Sequence, residues 1–145
     1  MNIQKAGKED VEQVAALALL LWPDHTELEL IEEFTPLLQS DAAAVFLAVE
    51  QEAVGFVQCQ LRSDYVEGTG SSPVGYLEGI YVKEAFRRQG IARALSKAGE
   101  DWAKRQGCLE FASDTGVDNI SSIQFHKKSG FKEANRIVCF VKRLD

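Results

Sequence analysis

The pattern of apolar and polar positions divides the chain into ten short elements. Helical spacing of apolar residues predicts helices over about residues 9–22 and 90–105, a second helix that opens at Thr26, and a short one in "NISSIQFHKKSG". Extended runs predict six strands, in "NIQK", "AVFLAVE", "AVGFVQCQLR", "YLEGIYV", "CLEFAS" and "FKEANRIVCFVKRL". The order β-α-α-β-β-β-α-β-α-β predicts an α/β fold (an α+β mixed sheet), with one layer of sheet and helices packed against it.

Local signals fix several boundaries of these elements. Pro23 follows the first helix as a stop, and Thr26 with Glu29 forms a capping-box pattern for the second. The stretch "DYVEGTGSSPVG" is rich in glycine, serine and proline and is predicted to be a loop. Gly79, inside the strand "YLEGIYV", indicates a bulge or a close approach of another group to the backbone.

Length and composition are those of one globular domain, which we assign to residues 1–145. The chain has 145 residues, of which 46% are hydrophobic and 26% charged. We find no apolar run long enough to span a membrane and no secretory signal at the start, so we expect a cytoplasmic protein that does not bind membranes. The formal net charge of −6 argues against nucleic acid as a partner.

The three cysteines, Cys59, Cys108 and Cys139, are isolated from one another in apolar stretches. No CxxC pair and no cluster of histidine and cysteine is present, so we expect no metal site and no disulfide framework. The pattern predicts buried free thiols on strands.

Charge is distributed unevenly along the chain. Residues 24–33 carry five acids and no lysine or arginine, whereas residues 87–105 carry six basic residues and two acids. One region is therefore suited to a cation and another to an anion, although such segregation is also common by chance.

The stretch "RRQGIARAL" combines basic residues with a helix start. The first turn of a helix presents unpaired backbone N–H groups and the positive end of the helix dipole, which together attract phosphate. Gly90 and Ala92 leave the backbone accessible to a diphosphate. The sequence fits neither the P-loop nor the three-glycine dinucleotide motif. The alternative is an ordinary surface helix with a basic start.

These residues carry a resemblance to a known family. "RRQGIA" resembles the R/Q-x-x-G-x-G/A signature of the GCN5-related N-acetyltransferase superfamily, read on Arg87, Gly90 and Ala92. Within it, "LLWPDH", "YVEGT", "SSPVGYLEGIYV" and "CLEFASDTGVDN" look like the short bacterial aminoglycoside 6'-N-acetyltransferases. The resemblance implies a splayed central mixed sheet flanked by about four helices, with acetyl-CoA as co-substrate.

The resemblance also implies where acetyl-CoA binds. Its pyrophosphate is expected on the turn and helix start, and its pantetheine arm along the strand, with the backbone N–H of Val82 facing the developing oxyanion. Asn119 is implied in a further contact, although it also reads as an ordinary helix N-cap. The alternative for the strand segment "GIYV" is an ordinary buried core strand. The residues implied in cofactor binding are Ile80, Tyr81, Val82, Arg88, Gln89, Gly90, Ile91, Ala92, Arg93 and Asn119.

Glu78 is the candidate general base. An aliphatic amine with a pKa of roughly 10 is mostly protonated at neutral pH and must lose a proton before it attacks. Strand alternation predicts that Glu78 faces away from Gly79, beside the thioester. A carboxylate inside a central strand could instead form an ion pair with a nearby arginine or lysine, or bind the cationic substrate while water takes the proton.

The resemblance implies an acidic, aromatic pocket for a polycationic aminoglycoside, lined by Trp22, His25, Tyr65, Glu78, Asp114 and Asn135. Trp22 is equally well explained as core. Two positions depart from the pattern. His126 stands where many members have a tyrosine that protonates the leaving thiolate, and Asn135 stands where close relatives place an acid, with Glu133 nearby.

The resulting hypothesis is an acetyl-CoA-dependent aminoglycoside 6'-N-acetyltransferase that confers resistance and works by direct attack in a ternary complex. The alternatives are acetylation of another amine (a polyamine, a peptide or another amino sugar) and a non-catalytic acyl-CoA-binding sensor. The apolar final segment "RIVCFVKRL" is expected to pair with its copy in a homodimer, or else to complete the sheet of its own chain.

Overall fold

A computed structural model describes residues 1–145, which form two compact units, Met1–Asp114 and Thr115–Asp145. That the two together make one acetyltransferase domain stays a prediction. None of the helices combines the length and the apolar character needed to cross a membrane.

The first unit contains a five-stranded mixed sheet and three helices. The strands lie in the order β1-β2-β3-β4-β5; β1 to β4 run antiparallel, each to the next, and β5 runs parallel to β4. This confirms the predicted fold class and the order of the first eight elements. In chain order they are β1 (Asn2–Lys5), α1 (Val11–Leu21), α2 (Glu27–Leu37), β2 (Ala43–Val49), β3 (Ala53–Arg62), β4 (Val74–Val82), α3 (Ile91–Arg105) and β5 (Phe111–Ser113).

The second helix begins where its sequence predicts. The Thr26 hydroxyl accepts a hydrogen bond from the Glu29 N–H at 3.1 Å, and the Glu29 carboxylate accepts one from the Thr26 N–H at 2.8 Å. This capping box satisfies donors that the helix itself leaves unpaired. Leu30 and Phe34, on the apolar face of α2, are completely buried.

The sheet has helices on both faces. On one face, α1 and α2 pack around Phe56 of β3, which meets the Phe34 ring edge-on at 6.3 Å between centroids. On the other face, α3 lies directly on the strands, since a Cβ added at Gly99 would be 2.7 Å from the Cys59 sulfur. Because both faces of the sheet are covered by helices, side chains on both sides of β2 and β3 are buried, which explains their nearly continuous apolar sequences.

The second unit contains one helix, α4 (Ile120–Lys128). The Asn119 side chain accepts a hydrogen bond from the Ser122 N–H at 3.2 Å and caps this helix. The predicted last strand is not formed, because residues 131–145 have no hydrogen-bonded secondary structure. An extended segment becomes a strand only where a neighbouring strand pairs with it.

The cysteines follow the prediction only in part. All three are free thiols, and Cys59 is buried on β3 as expected. Cys108 is buried but precedes β5 rather than lying on a strand, and Cys139 is exposed in the unpaired final segment. The expectation of buried thiols on strands was therefore wrong for these two residues.

Candidate active site

The turn that precedes α3 contains two residues with a positive φ angle. Arg88 and Gly90 both have positive φ angles, 65° and 82°, and α3 begins immediately afterwards at Ile91. Left-handed residues in a turn are one means by which proteins direct successive N–H groups at a bound anion. An arginine held at positive φ is uncommon and costs free energy, as is typical of functional turns.

The surroundings of this turn leave room for a ligand. Arg88, Gln89 and Gly90 are exposed, and no atom lies within 4 Å of the place that a Cβ on Gly90 would occupy. Ile91 is buried and anchors the start of the helix. Arg87 has a different role from its neighbours, since its Nε donates to the Val82 carbonyl at 2.8 Å and ties the turn to β4.

The second half of β4 has no partner strand on one side within the first unit. β5 pairs with β4 only from Gly75 to Leu77, so the edge from Glu78 to Val82 is left open. The Lys83 N–H donates to the Val54 carbonyl at 2.8 Å, toward β3. Because successive N–H groups of a strand alternate in direction, the amides of Val82 and Ile80 point toward the open side.

A β-bulge places Glu78. Gln58 pairs with Gly79 and Cys59 pairs with Leu77, so Glu78 is an extra residue without a cross-strand partner. This confirms the bulge that Gly79 indicated. A close approach is also present, because a Cβ on Gly79 would lie 2.6 Å from the Trp22 ring.

The bulge contradicts the facing predicted for Glu78. Its carboxylate contacts Arg62, which shares a face of the sheet with Phe56 and therefore with α1. Gly79 is also directed at α1, so Glu78 and Gly79 lie on the same face rather than on opposite faces. The physical reason is that an extra residue interrupts the period-2 alternation on which the prediction depended.

Glu78 forms a bidentate ion pair with Arg62. Arg62 Nε lies 3.0 Å from Glu78 Oε2, and Nη2 lies 2.8 Å from Oε1. The Glu78 side chain is 19% exposed and that of Arg62 41% exposed. Hydrogen bonding to the carboxylate raises the pKa of Arg62. The ion pair with a nearby arginine, one of the alternatives for Glu78, is therefore present in the structure.

Tyr76 and Asp114 extend this pair into a network. The Arg62 guanidinium carbon lies 3.5 Å from the centroid of the Tyr76 ring, and the Tyr76 hydroxyl donates to Asp114. Burial, together with that hydrogen bond, raises the pKa of Tyr76, so the phenol keeps its proton. Asp114 directly follows β5, and the parallel register with β4 brings it to the same end of the sheet as Glu78.

The remaining substrate candidates of the first unit lie in different environments. Trp22 is half-buried and meets Phe56 edge-on at 6.1 Å, so it belongs to the apolar cluster of α1 and α2. His25 is exposed in the turn before α2. Tyr65 is 78% exposed on the loop between β3 and β4. The structure thus brings Glu78 and Asp114 together, whereas neither His25 nor Tyr65 contacts them.

The loop between β3 and β4 is hydrogen-bonded to Glu110, a residue that the sequence analysis did not identify. The Glu110 carboxylate accepts a hydrogen bond from the Gly70 N–H at 2.9 Å and another from the Ser71 hydroxyl. These bonds lower the pKa of Glu110. Arg62 and Tyr76 were also missed, and only the general expectation of a cation near Glu78 pointed to the first of them. Arg87 was identified in the sequence as part of the signature, but its bond to the Val82 carbonyl was not predicted.

In the second unit, the predicted residues have local partners. Asn119 serves as the N-cap of α4, and the Asn135 side chain accepts a hydrogen bond from the Arg136 N–H at 2.8 Å. His126 Nδ1 lies 2.7 Å from the Ser122 carbonyl oxygen, so this nitrogen donates to it. The roles of Asn119 and Asn135 in ligand binding stay predictions.

Comparison with known proteins identifies the family. Residues 14–131 match the model of the Acetyltransferase (GNAT) family. A protein named aminoglycoside N(6')-acetyltransferase type 1 from Acinetobacter genomosp. 13 is 42% identical, covering 99% of both chains, and one of the same name from Salmonella enteritidis is 38% identical with the same coverage. The solved structure of AAC(6')-Iy with the bisubstrate analog CoA-S-monomethyl-acetylneamine superposes with a TM-score of 0.94 at 38% identity, covering 99% of this chain and 98% of the other.

Proposed function

Because this chain belongs to the acetyltransferase (GNAT) family, we propose that it transfers the acetyl group of acetyl-CoA to the 6'-amino group of aminoglycoside antibiotics and so confers resistance to them. The observation that carries the proposal is the position of two carboxylates, Glu78 and Asp114, beside the open edge of β4. A polycation is attracted to such a pair, and the edge offers backbone amides to an acetyl donor.

The residues of the turn suit the diphosphate of acetyl-CoA. Main-chain N–H groups at the start of α3 and the side chains of Arg88 and Arg93 provide positive charge, and the exposed Gly90 admits a phosphate close to the backbone. The co-substrate supplies an acetyl group activated as a thioester. Along β4, Ile80 to Val82 would pair with its pantetheine arm, and the Val82 N–H would stabilise the oxyanion.

Glu78 has the principal chemical role in this proposal. Its carboxylate accepts the proton of the attacking amine, directly or through a water, while Asp114 contributes negative charge for the ammonium groups of the substrate. The bidentate contact with Arg62 leaves lone pairs on both Glu78 oxygens for this purpose.

Direct attack of the amine is favoured over an acyl-enzyme. Burial raises the pKa of the Cys59 thiol to about 12, and its sulfur faces α3 rather than the carboxylates. Such a thiol is not a nucleophile at neutral pH. A ternary complex of both substrates then requires intersecting lines in initial-velocity plots, whereas a covalent intermediate gives parallel ones.

The test of the proposed function is Glu78→Gln. We expect kcat/KM for an aminoglycoside to fall by about 10²–10⁴-fold, the range for loss of a general base, with an unchanged calorimetric affinity for acetyl-CoA. Glu12→Gln, an exposed residue of α1, is the matched control. Turnover by Glu78→Gln at the wild-type rate contradicts the assignment, and binding of acetyl-CoA without turnover by the wild type identifies a sensor.

We also propose that the protein is a homodimer. Ile137, Val138, Phe140 and Val141 are between 67% and 96% exposed, in a segment without regular secondary structure. Contiguous exposed apolar residues are typical of association surfaces, and a second copy offers an equivalent segment. Light scattering after size exclusion tests this, and a monomer at micromolar concentration contradicts it.

A cytoplasmic location is the remaining part of the proposal. Its support is the presence of three free thiols, one of them exposed, since oxidising compartments favour paired cysteines. Fractionation of expressing cells checks it, and recovery of the protein outside the cytoplasmic fraction contradicts it.

A further inference from the structure

Arg62 is the cation in contact with the carboxylate that the proposed function uses. It ends β3, next to the loop that carries Tyr65, and its guanidinium is held on two sides. One edge binds both oxygens of Glu78, at 3.0 and 2.8 Å, and one face stacks on the Tyr76 ring at 3.5 Å. Two side chains therefore fix its orientation, although 41% of its own side chain is exposed.

We propose that Arg62 is a positioning residue for acetyl transfer, which orients the Glu78 carboxylate and balances the charge that Glu78 shares with Asp114. This inference rests on the proposed function and names a residue that acts through Glu78. Arg62 itself does not contact the reacting atoms in this assignment.

The orienting role follows from the bulge. As the extra residue of β4, Glu78 has no cross-strand neighbour to define its side-chain direction. A side-on, bidentate guanidinium restricts both the position and the plane of the carboxylate, which an ammonium cannot do. A proton acceptor displaced by about 1 Å loses up to ~10²-fold in rate, so this restriction has a measurable consequence.

The balancing role follows from the charges that face Glu78. From the strands of the first unit these are Arg62 of β3 and Asp114 after β5, with the neutral Tyr76 beside them. Neighbouring like charges repel each other, and a cation in contact with one of them offsets this repulsion. Arg62 supplies that cation, because its guanidinium contacts the Glu78 carboxylate and stacks on the ring of Tyr76, whose hydroxyl donates to Asp114.

A competing role for Arg62, in which it occupies the place of the substrate at Glu78, predicts different kinetics. If Arg62 competed with the substrate for Glu78, its removal would lower KM and leave kcat unchanged. The bidentate geometry and the stacking on Tyr76 favour a permanent partner over an occupant that each substrate molecule displaces.

The experiment compares Arg62→Gln and Arg62→Lys with the wild type, using acetyl-CoA and an aminoglycoside that the wild type acetylates. We expect Arg62→Gln to lower kcat by about 10–10²-fold. Arg62→Lys is expected to restore only part of kcat, because lysine keeps the charge without the bidentate contact. Lys97→Gln, which removes a cation from the exposed pair with Asp101, is the matched control.

The double variant Arg62→Gln/Glu78→Gln separates a positioning role from a general loss of structure. If Arg62 acts through Glu78, its replacement has little further effect once Glu78 is glutamine. Thermal unfolding and acetyl-CoA calorimetry report whether each variant is folded.

Three outcomes overturn the proposal: wild-type kinetics for Arg62→Gln, a lower KM with unchanged kcat, or additive losses in the double variant. Failure of the proposed function is recognised separately, because the wild type itself would then acetylate no aminoglycoside.

Discussion

Replacing Gly79 with alanine would place a methyl group inside the space of the Trp22 ring. The added Cβ would lie 2.6 Å from Cη2 and Cζ2 of Trp22 and 3.1 Å from a methyl carbon of Leu21. Carbon atoms in contact are normally separated by about 3.5–4.0 Å, so the indole must move by roughly 1 Å. That movement is opposed by Phe56, which packs edge-on against the ring.

The expected cost is that of overpacking a closely packed core, about 1–3 kcal/mol. For a chain of this length, each kcal/mol lowers Tm by about 2–4 °C. The double variant Gly79→Ala/Trp22→Phe makes room at the far end of the ring. We therefore expect a coupling energy of about 0.5 kcal/mol or more, so that the double variant is more stable than the sum of the single changes predicts.

Urea unfolding of the wild type, the two single variants and the double variant measures this coupling. Gly70→Ala is the control, because no atom lies within 4 Å of its Cβ position and its backbone is not left-handed. We expect its stability to remain within about 0.5 kcal/mol of the wild type. Additivity of the two changes, or wild-type stability of Gly79→Ala, would refute the close approach of Trp22 to β4.

Three further predictions concern separate parts of the molecule. Gly90→Ala places a side chain at a φ of 82°, which costs roughly 1–2 kcal/mol of stability. The change should also weaken acetyl-CoA binding in calorimetry, and unchanged binding would contradict a role of Gly90 in the proposed diphosphate site. Hydrogen bonds from Thr26, first from its backbone and second from its hydroxyl, lower the pKa of Glu29 from its ordinary value. The stability advantage of the wild type over Glu29→Gln should therefore be present at neutral pH and disappear as the pH falls through the folded pKa; an advantage that persists in acid contradicts the cap. In a thiol assay at about pH 8, Cys59, whose pKa burial raises to about 12, should react only on unfolding; rapid labelling of Cys59 in the folded protein would contradict its burial.

Elements with a local cause were predictable from the sequence. The helix that opens at Thr26 forms because hydrogen-bonding groups three residues apart satisfy each other, and this spacing is visible in the chain. The turn at Gly90 was predictable for a similar reason, since its positive φ is a property that glycine tolerates.

Contacts that depend on register were not predictable. The pairing of Arg62 with Glu78 requires the alignment of β3 with β4 across a long loop, and that of Tyr76 with Asp114 requires the parallel register of β5. The glycine at position 79 indicated a bulge, but the position of the extra residue decides the face on which Glu78 lies. A pattern of alternation cannot supply that position, because the bulge is where alternation stops.

The final segment shows a second reason why a strand cannot be predicted from sequence alone. Its apolar sequence predicted a strand, and the chemistry of the residues is indeed suited to one, yet residues 131–145 form none. Strand formation depends on a partner, and a sequence does not state whether the partner belongs to the same chain or to a second copy.

The most direct measurement is to incubate the purified protein with acetyl-CoA and an aminoglycoside that has a 6'-amino group, and to determine by NMR which nitrogen carries the acetyl group. We expect a single product acetylated at the 6'-nitrogen, with release of one thiol for each product molecule, and loss of that product with Glu78→Gln. Acetylation at another nitrogen, or thiol release that needs no aminoglycoside, would contradict the proposed function.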